Sequence, residues 1–283
     1  MRNERTLQAG NSRPRLRRPS LPDARIRQRR AMVFHRGEVL RKSTSVLSGE
    51  AIVEARDLEK IYAAGGVTVR ALRGVDLSIA RGEMVAVMGP SGCGKTTLLN
   101  CLSGLDGFDG GEVLIGAKPV SGMSDRKRTR FRAEEMGFIF QTYNLIPVLS
   151  AVENVELPLL VAGVKPKEAR RRAAAALETV GVPEQARKRP NEMSGGQQQR
   201  VTVARSLVND PTIVWADEPT GALDSETSAQ IMQLLVELNR QQGQTFVLVT
   251  HDISVARRAH RIVRMRDGRI ENDEQNGEGG QDG

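Results

Sequence analysis

Cysteine is almost missing from this chain: Cys93 and Cys101 are the only two in 283 residues. Two thiols cannot build a disulfide framework, so the fold has to stand on an apolar core, and a reducing compartment is expected. Long apolar runs are also missing. No stretch of about 18 apolar residues occurs, which excludes a membrane-spanning helix. The most apolar long window, Leu145 to Val161, is broken by Glu153, Asn154, Glu156 and two prolines. The N-terminus lacks the apolar segment of a secretory signal. Aromatic side chains make up 3 % of the chain, and Phe34 is the only one in the first 50 residues, so base stacking is poorly served there.

Positive charge is present but unevenly placed. The formal net charge is +8. Residues 1–50 carry 13 Lys and Arg against 4 Asp and Glu, residues 51–270 carry 29 against 25, and residues 271–283 carry five acids and no base. The basic character therefore belongs to an appendage, and no specific nucleic-acid partner is expected. Three segments follow: a basic disordered tail at 1–50, a folded domain at 51–270 and an acidic flexible tail at 271–283. The basic tail either touches anionic lipid headgroups or extends a protein whose translation starts near Met32.

Within the domain, Ala51–Arg56 and Val67–Ile79 read as strands, with a turn at Gly65-Gly66. Met84–Met88, Glu112–Ile115, Gly137–Phe140, Ile213–Ala216 and Thr245–Thr250 read as further strands. Residues 150–190 read as helical, with Pro166 at a helix start and Gly181 and Pro183 at its end. Ile231, Leu234, Leu235 and Leu238 fall at i, i+3, i+4 and i+7, one face of a helix. Arg126, Lys127, Arg128, Arg130 and Arg132 read as a solvated helix face.

Three motifs carry chemistry. Gly89-Pro90-Ser91-Gly92-Cys93-Gly94-Lys95-Thr96, followed by Thr97, lies between an apolar strand and a helix. Its glycines let successive backbone N–H groups turn inward around phosphate, and the helix N-terminus adds its dipole. Lys95 would reach the β- and γ-phosphates, and the Thr96 hydroxyl would ligate Mg²⁺. Cys93 reads as a small filler or as a redox-sensitive thiol, the filler being favoured. The second motif is the strand Ile213–Ala216 ending in Asp217 and Glu218. Ligands of open α/β sheets lie beyond the carboxyl ends of the strands. Asp217 would hold Mg²⁺ and Glu218 would act as general base toward water. Between the two lies Ser194-Gly195-Gly196-Gln197, opening a helix that runs to about Val208. Its amides form a second anion site that one nucleotide does not need, which suggests head-to-tail pairing of two copies.

These residues together resemble the ABC-type ATPases over about 51–270. The resemblance implies an α/β fold: a P-loop NTPase core with an antiparallel β subdomain and an α-helical subdomain at about 142–190. It implies ATP and Mg²⁺ as ligands. By the same likeness, Tyr62 would stack on adenine and Gln141 would contact Mg²⁺ and the nucleophilic water. Ala222-Leu223-Asp224 would sit at the dimer interface, and His251 would contact the γ-phosphate. Lys95, Gln141, Glu218 and His251 are thus the expected catalytic set. Met193 stands where the family usually has Leu, a volume-conserving exchange.

The segments Phe138–Pro147 and Glu153–Pro158, with Tyr62–Ile79, are similar to the lipoprotein-releasing and macrolide-exporter branch, which also holds the cell-division ATPase. That likeness implies an ATP-hydrolysing subunit, peripheral on the cytoplasmic face of the inner membrane. It would energise a separate integral membrane permease, and Gln141–Pro158 would face that permease. The competing reading is a soluble ATPase acting on nucleic acid or ribosomes through the basic tail. A chain shortened to begin at Met32 is expected to release phosphate from ATP at the full rate. A substantial loss would make the tail part of the machine.

Overall fold

A computed structural model describes residues 50–276; the expected basic tail and the end of the acidic tail lie outside the described residues. The described residues begin with a long hairpin, β1 (Ala51–Ala64) and β2 (Val67–Ala80). Gly65 and Gly66 join the strands at φ +59° and +82°, the left-handed pair that a two-residue hairpin requires. Leu72, Val75, Leu77 and Ile79 alternate inward along β2. With β4 (Gly110–Ile115) and β5 (Lys118–Pro119) the hairpin forms an antiparallel sheet of order β2-β1-β4-β5. β1 runs eight residues beyond the expected Arg56: Leu58 is buried opposite Val75, and from Glu59 onward the strand is held by its backbone ladder to β2.

The second sheet holds β3 (Met84–Met88), β6 (Met136–Phe140), β7 (Ile213–Asp217), β8 (Thr245–Thr250), β9 (Arg261–Arg266) and β10 (Arg269–Gln275), in the order β10-β9-β3-β8-β7-β6. The five strands from β9 to β6 pair in parallel, and β10 is antiparallel at the edge. The helices are α1 (Lys95–Leu102), α2 (Asp125–Glu135), α3 (Ala151–Val161), α4 (Pro166–Thr179), α5 (Gly195–Leu207), α6 (Ser225–Gln242) and α7 (Ile253–Ala256).

Alternating strand residues divide the core into two halves, as a period of two dictates. Met84, Ala86, Val214, Ala216, Phe246 and Leu248 face the half built with α3, α4, α5 and α6. Val85, Val87, Trp215, Val247 and Val249 face the half built with α1 and the antiparallel sheet. Strands covered on both sides read as continuous apolar runs, which is why Ile213–Ala216 and Thr245–Thr250 were legible as sequence. α3 and α4 fall within the expected helical segment, and Ile231, Leu234, Leu235 and Leu238 are all buried on α6.

One boundary needs correction. The flexible acidic tail was expected from residue 271, but Glu271–Gln275 belong to β10, with Asp273 opposite Val263 and Glu274 opposite Ile262. An edge strand with nearly all side chains in solvent has the composition of a tail; its backbone ladder and the 3.1 Å ion pair from Asp273 to Arg261 hold it in place. Gly137 is one point where packing leaves no room for a side chain: an added Cβ would run into the Ser206 carbonyl oxygen of α5. Gly137→Ala is expected to lower unfolding free energy by about 2 kcal/mol in a urea titration with an unchanged slope.

Candidate functional site

Three neighbouring strands end together. Met88 at the end of β3 pairs with Thr250 of β8, and Asp217 at the end of β7 pairs with Val249. The glycine loop leaves β3, the acidic pair ends β7 and His251 follows β8, so parallel register alone gathers them at one edge. The loop is packed too closely for side chains at two points. A Cβ on Gly89 would meet the Met265 carbonyl oxygen, and one on Gly94, at φ +104°, would lie 2.6 Å from the Ala71 carbonyl oxygen. Lys95 is buried, and its Nζ donates to the carbonyl oxygens of Gly89 and Pro90 at 2.8 and 3.0 Å, spanning the loop mouth. Cys93 is buried beneath the loop; its N–H donates to Pro90 and its carbonyl accepts from Gly268 N–H. That is the position of a filler.

Beside the loop, the Thr96 hydroxyl donates to Asp217 Oδ1 at 3.3 Å. Burial pushes the Asp217 carboxyl above its usual range, and Glu218 adds to this, while the Thr96 hydrogen bond and the Lys95 charge oppose it. Glu218 adopts φ +47°, a strained choice for a residue with a Cβ. Its N–H donates to Val249 O at 2.9 Å, and its carboxylate accepts from the Thr250 hydroxyl and His251 N–H. His251 Nδ1 lies 2.7 Å from Glu218 Oε1, with the imidazole 72 % exposed. The expected base and histidine are therefore in direct contact. Thr250 was not anticipated; its only signal was its place at a buried strand end.

Gln141 follows β6 and leans on the loop after the acidic pair, its Nε2 2.9 Å from where a Gly221 Cβ would stand. Tyr62 lies on the outer half of β1 and donates its hydroxyl to Asp106 Oδ2 at 2.7 Å. Burial raises the Tyr62 phenol, the Asp106 contact adds to this, and a hydrogen bond with Thr97 opposes it.

The Ser194–Gln197 motif is elsewhere. Ser194 caps α5, accepting from Gln197 N–H, while the Gln197 side chain accepts from Ser194 N–H. α5 packs on the opposite face of the parallel sheet from α1. Gly196 stands against Thr227, where a Cβ would lie 2.5 Å from Thr227 Cγ2, and Asp224 caps α6 through Thr227 N and Oγ1. The motif and Asp224 thus share one patch. Buried Gln199 of α5 donates to the Pro219 carbonyl, tying that patch to the acidic pair.

A cleft of about 500 Å³ is lined by Pro90, Ser91, His251, Arg264 and Arg266 among others. Neither arginine was foreseen, because β9 alternates charged and apolar residues without a motif. Among the described residues, no group of three or more His, Cys, Asp or Glu side chains is arranged to hold a metal.

The sequence profile of the family described as ABC transporter matches residues 72–221. An ABC transporter ATP-binding protein of Thermotoga maritima is 50 % identical over 226 residues, covering 80 % of this chain and 96 % of the relative. The macrolide export ATP-binding/permease protein MacB of Syntrophobacter fumaroxidans is 46 % identical over 222 residues, 78 % of this chain but 31 % of the relative. Among solved structures, the ATP-binding cassette MJ0796, a dimer in a post-hydrolysis state with ADP and Pi, superimposes with a TM-score of 0.74. It is 45 % identical and is matched over 79 % of this chain and 98 % of that one.

The raised Asp217 carboxyl has a stability consequence. A carboxyl whose folded pKa exceeds its unfolded value loses stability as pH rises through that window, since the unfolded state releases its proton first. Asp217→Asn is expected to raise the melting temperature of the nucleotide-free protein at neutral pH, with the gain fading as pH falls through the raised pKa. Melting curves from pH 4 to 8 check this; equal curves for both proteins would mean Asp217 carries no burial penalty.

Proposed function

This chain belongs to the ABC transporter ATP-binding family, and from that premise we propose that it binds and hydrolyses ATP as one of a head-to-tail pair that drives a separate membrane permease. The observation that carries the reading is the 2.7 Å contact between Glu218 and His251 at the strand edge that also holds Lys95, Thr96 and Asp217. In this reading Glu218 is the general base toward water, held in aim by Thr250 and the His251 backbone. His251 and Lys95 stabilise the charge on the terminal phosphate, and Gln141 orients the water. Phosphoryl transfer is largely positioning and charge stabilisation, and these groups supply both.

The hard oxygen donors Thr96 Oγ1 and Asp217 Oδ1 fit Mg²⁺. Their small number also fits, since Mg²⁺ keeps several waters and borrows phosphate oxygens. When bound, the ion would neutralise charge on the β- and γ-phosphates. Thr96 and Asp217 would hold it, and Tyr62 would offer its ring to adenine.

Pairing follows from the placement of the Ser194–Gln197 helix end. It is packed on the sheet face away from α1, so a second copy is needed to bring it over the glycine loop. The relative MJ0796 is itself a dimer, which supports pairing. The exposed apolar residues Ile146, Val148, Leu160 and Val161 are proposed to receive a permease segment, whereas Val152, Val155 and Leu159 are core. No helix among the described residues is long and apolar enough to cross a membrane. In this reading the subunit is peripheral, on the cytoplasmic face of the inner membrane, held there by its permease. The macrolide-exporter relatives favour extrusion-type work by the permease.

Glu218→Gln is the direct test. The variant is expected to bind ATP with near-parent affinity, to hydrolyse it about 10²–10⁴ times more slowly, and to elute as a dimer in ATP and Mg²⁺. Turnover at the parent rate would remove Glu218 from the base role.

A further inference from the structure

The loop after α1 clamps the strand that carries Tyr62. Asp106 Oδ2 accepts from the Tyr62 hydroxyl at 2.7 Å, and Oδ1 of the same carboxylate accepts from Lys60 Nζ at 3.1 Å. Lys60 Nζ also donates to the Gly107 carbonyl at 2.7 Å. One turn further, Asp109 Oδ2 accepts from Ile61 N–H at 2.6 Å, and Asp109 N–H donates to Glu59 O at 2.9 Å. Residues 59–62 are therefore bound one after another to residues 106–109.

The clamp also orients the ring. Lys60 Nζ lies 4.8 Å from the Tyr62 ring centroid, a cation–π distance, so one ring face is occupied by an ammonium group. The Lys60 side chain is 11 % exposed, whereas Tyr62 as a residue is 41 % exposed. An ammonium so shielded needs its partners, and Asp106 is the charged one. The carboxylate thus holds the phenol end of the ring and the cation beneath it at once. With the ring otherwise part-exposed, surface remains on it for a ligand to cover.

The same loop continues directly from α1, whose first residues are Lys95 and Thr96. Asp106 N–H donates to Asn100 O at 3.1 Å, anchoring the loop to the helix. A ring held by Asp106 is held at a set distance from the phosphate loop, because both attach to one short helix.

We infer that Asp106, with Lys60, is a positioning residue for ATP: it fixes the Tyr62 ring so that one face is offered to the base at the correct distance from the Gly89–Thr96 loop. The inference rests on the reading of Tyr62 as the base-stacking residue. Without Asp106 the ring swings on β1, and the stacking contact is no longer pre-formed.

The test compares affinity for ATP with affinity for inorganic tripolyphosphate, which carries the phosphates without the base, by calorimetry on the full chain with Mg²⁺. Tyr62→Ala tests the underlying reading: it should weaken ATP about tenfold and leave tripolyphosphate unchanged. Asp106→Ala and Tyr62→Phe should each weaken ATP about fivefold with tripolyphosphate unchanged, and the double variant should be no weaker than Asp106→Ala alone. If Tyr62→Ala binds ATP normally, the stacking reading falls and the inference with it. If Tyr62→Ala loses ATP but Asp106→Ala and Tyr62→Phe do not, stacking stands and the positioning role is overturned. Equal weakening of ATP and tripolyphosphate by Asp106→Ala would also overturn it, since that is the mark of a damaged fold.

Discussion

The parallel pairing of β3, β8 and β7 is the constraint on which the rest depends. Their backbone ladders align Met88 with Thr250 and Asp217 with Val249. Glu218, Thr250 and His251 sit within a residue of those ends, and the glycine loop that leads to Lys95 leaves β3 at Met88. Because the strands are covered on both faces, a slip of one position would turn Trp215 and Val247 toward the helical half and Val214 and Phe246 away from it. Core packing therefore protects the relative placement of Lys95, Asp217, Glu218 and His251, although none of these contributes much to the core.

Local conflict is concentrated where that edge meets solvent. Glu218 holds a left-handed backbone conformation, Asp217 is a carboxyl that burial disfavours when ionised, and Lys95 is an ammonium among carbonyl oxygens. Each departs from what an isolated stability optimum would select. The surroundings offset the strain with specific bonds: Val249 O accepts from Glu218 N–H, and Thr250 and His251 hold its carboxylate. Away from the edge, helices start conventionally, with Ser194 and Asp224 as caps, and at the edge itself Asp252 caps α7 directly after His251.

The two halves of the core separate the glycine loop from the Ser194 motif. α1 and the antiparallel sheet lie on one face of the parallel sheet. On the other face, α5 holds the Ser194 motif, and it also grips the loop that leads out of Gln141. Thr202 donates to Tyr143 O, and Arg205 donates to both Tyr143 O and Asn144 O. Buried Asn154 continues the chain of contacts, binding Ile146 through both its N–H and its carbonyl. The helical half thus joins α5, the 143–146 loop and α3 through one run of hydrogen bonds that ends at the exposed Ile146.

Much of this was legible in the amino-acid order. The glycine loop, the acidic pair and the Ser194 motif are local chemistry, in which spacing along the chain is itself the geometry. The Gly65-Gly66 hairpin, the doubly buried strands and the apolar face of α6 are periodicities that survive into the structure because local backbone preference and burial agree. Other features left no local trace. β10 reads as an acidic tail because edge pairing uses backbone groups rather than side chains. The Lys60–Asp106 contact joins residues 46 positions apart, and Thr250 matters only because β8 lies between β3 and β7. The sequence by itself determined which short segments could cradle a phosphate, end in carboxylates or cap a helix, since turn conformation and apolar period are set within a few residues. Only the tertiary structure decided that Glu218 touches His251, that Asp106 holds Tyr62 and that the Ser194 motif faces away from its own phosphate loop. Strand order and register come from packing two core halves against one sheet, and no short stretch of chain encodes that.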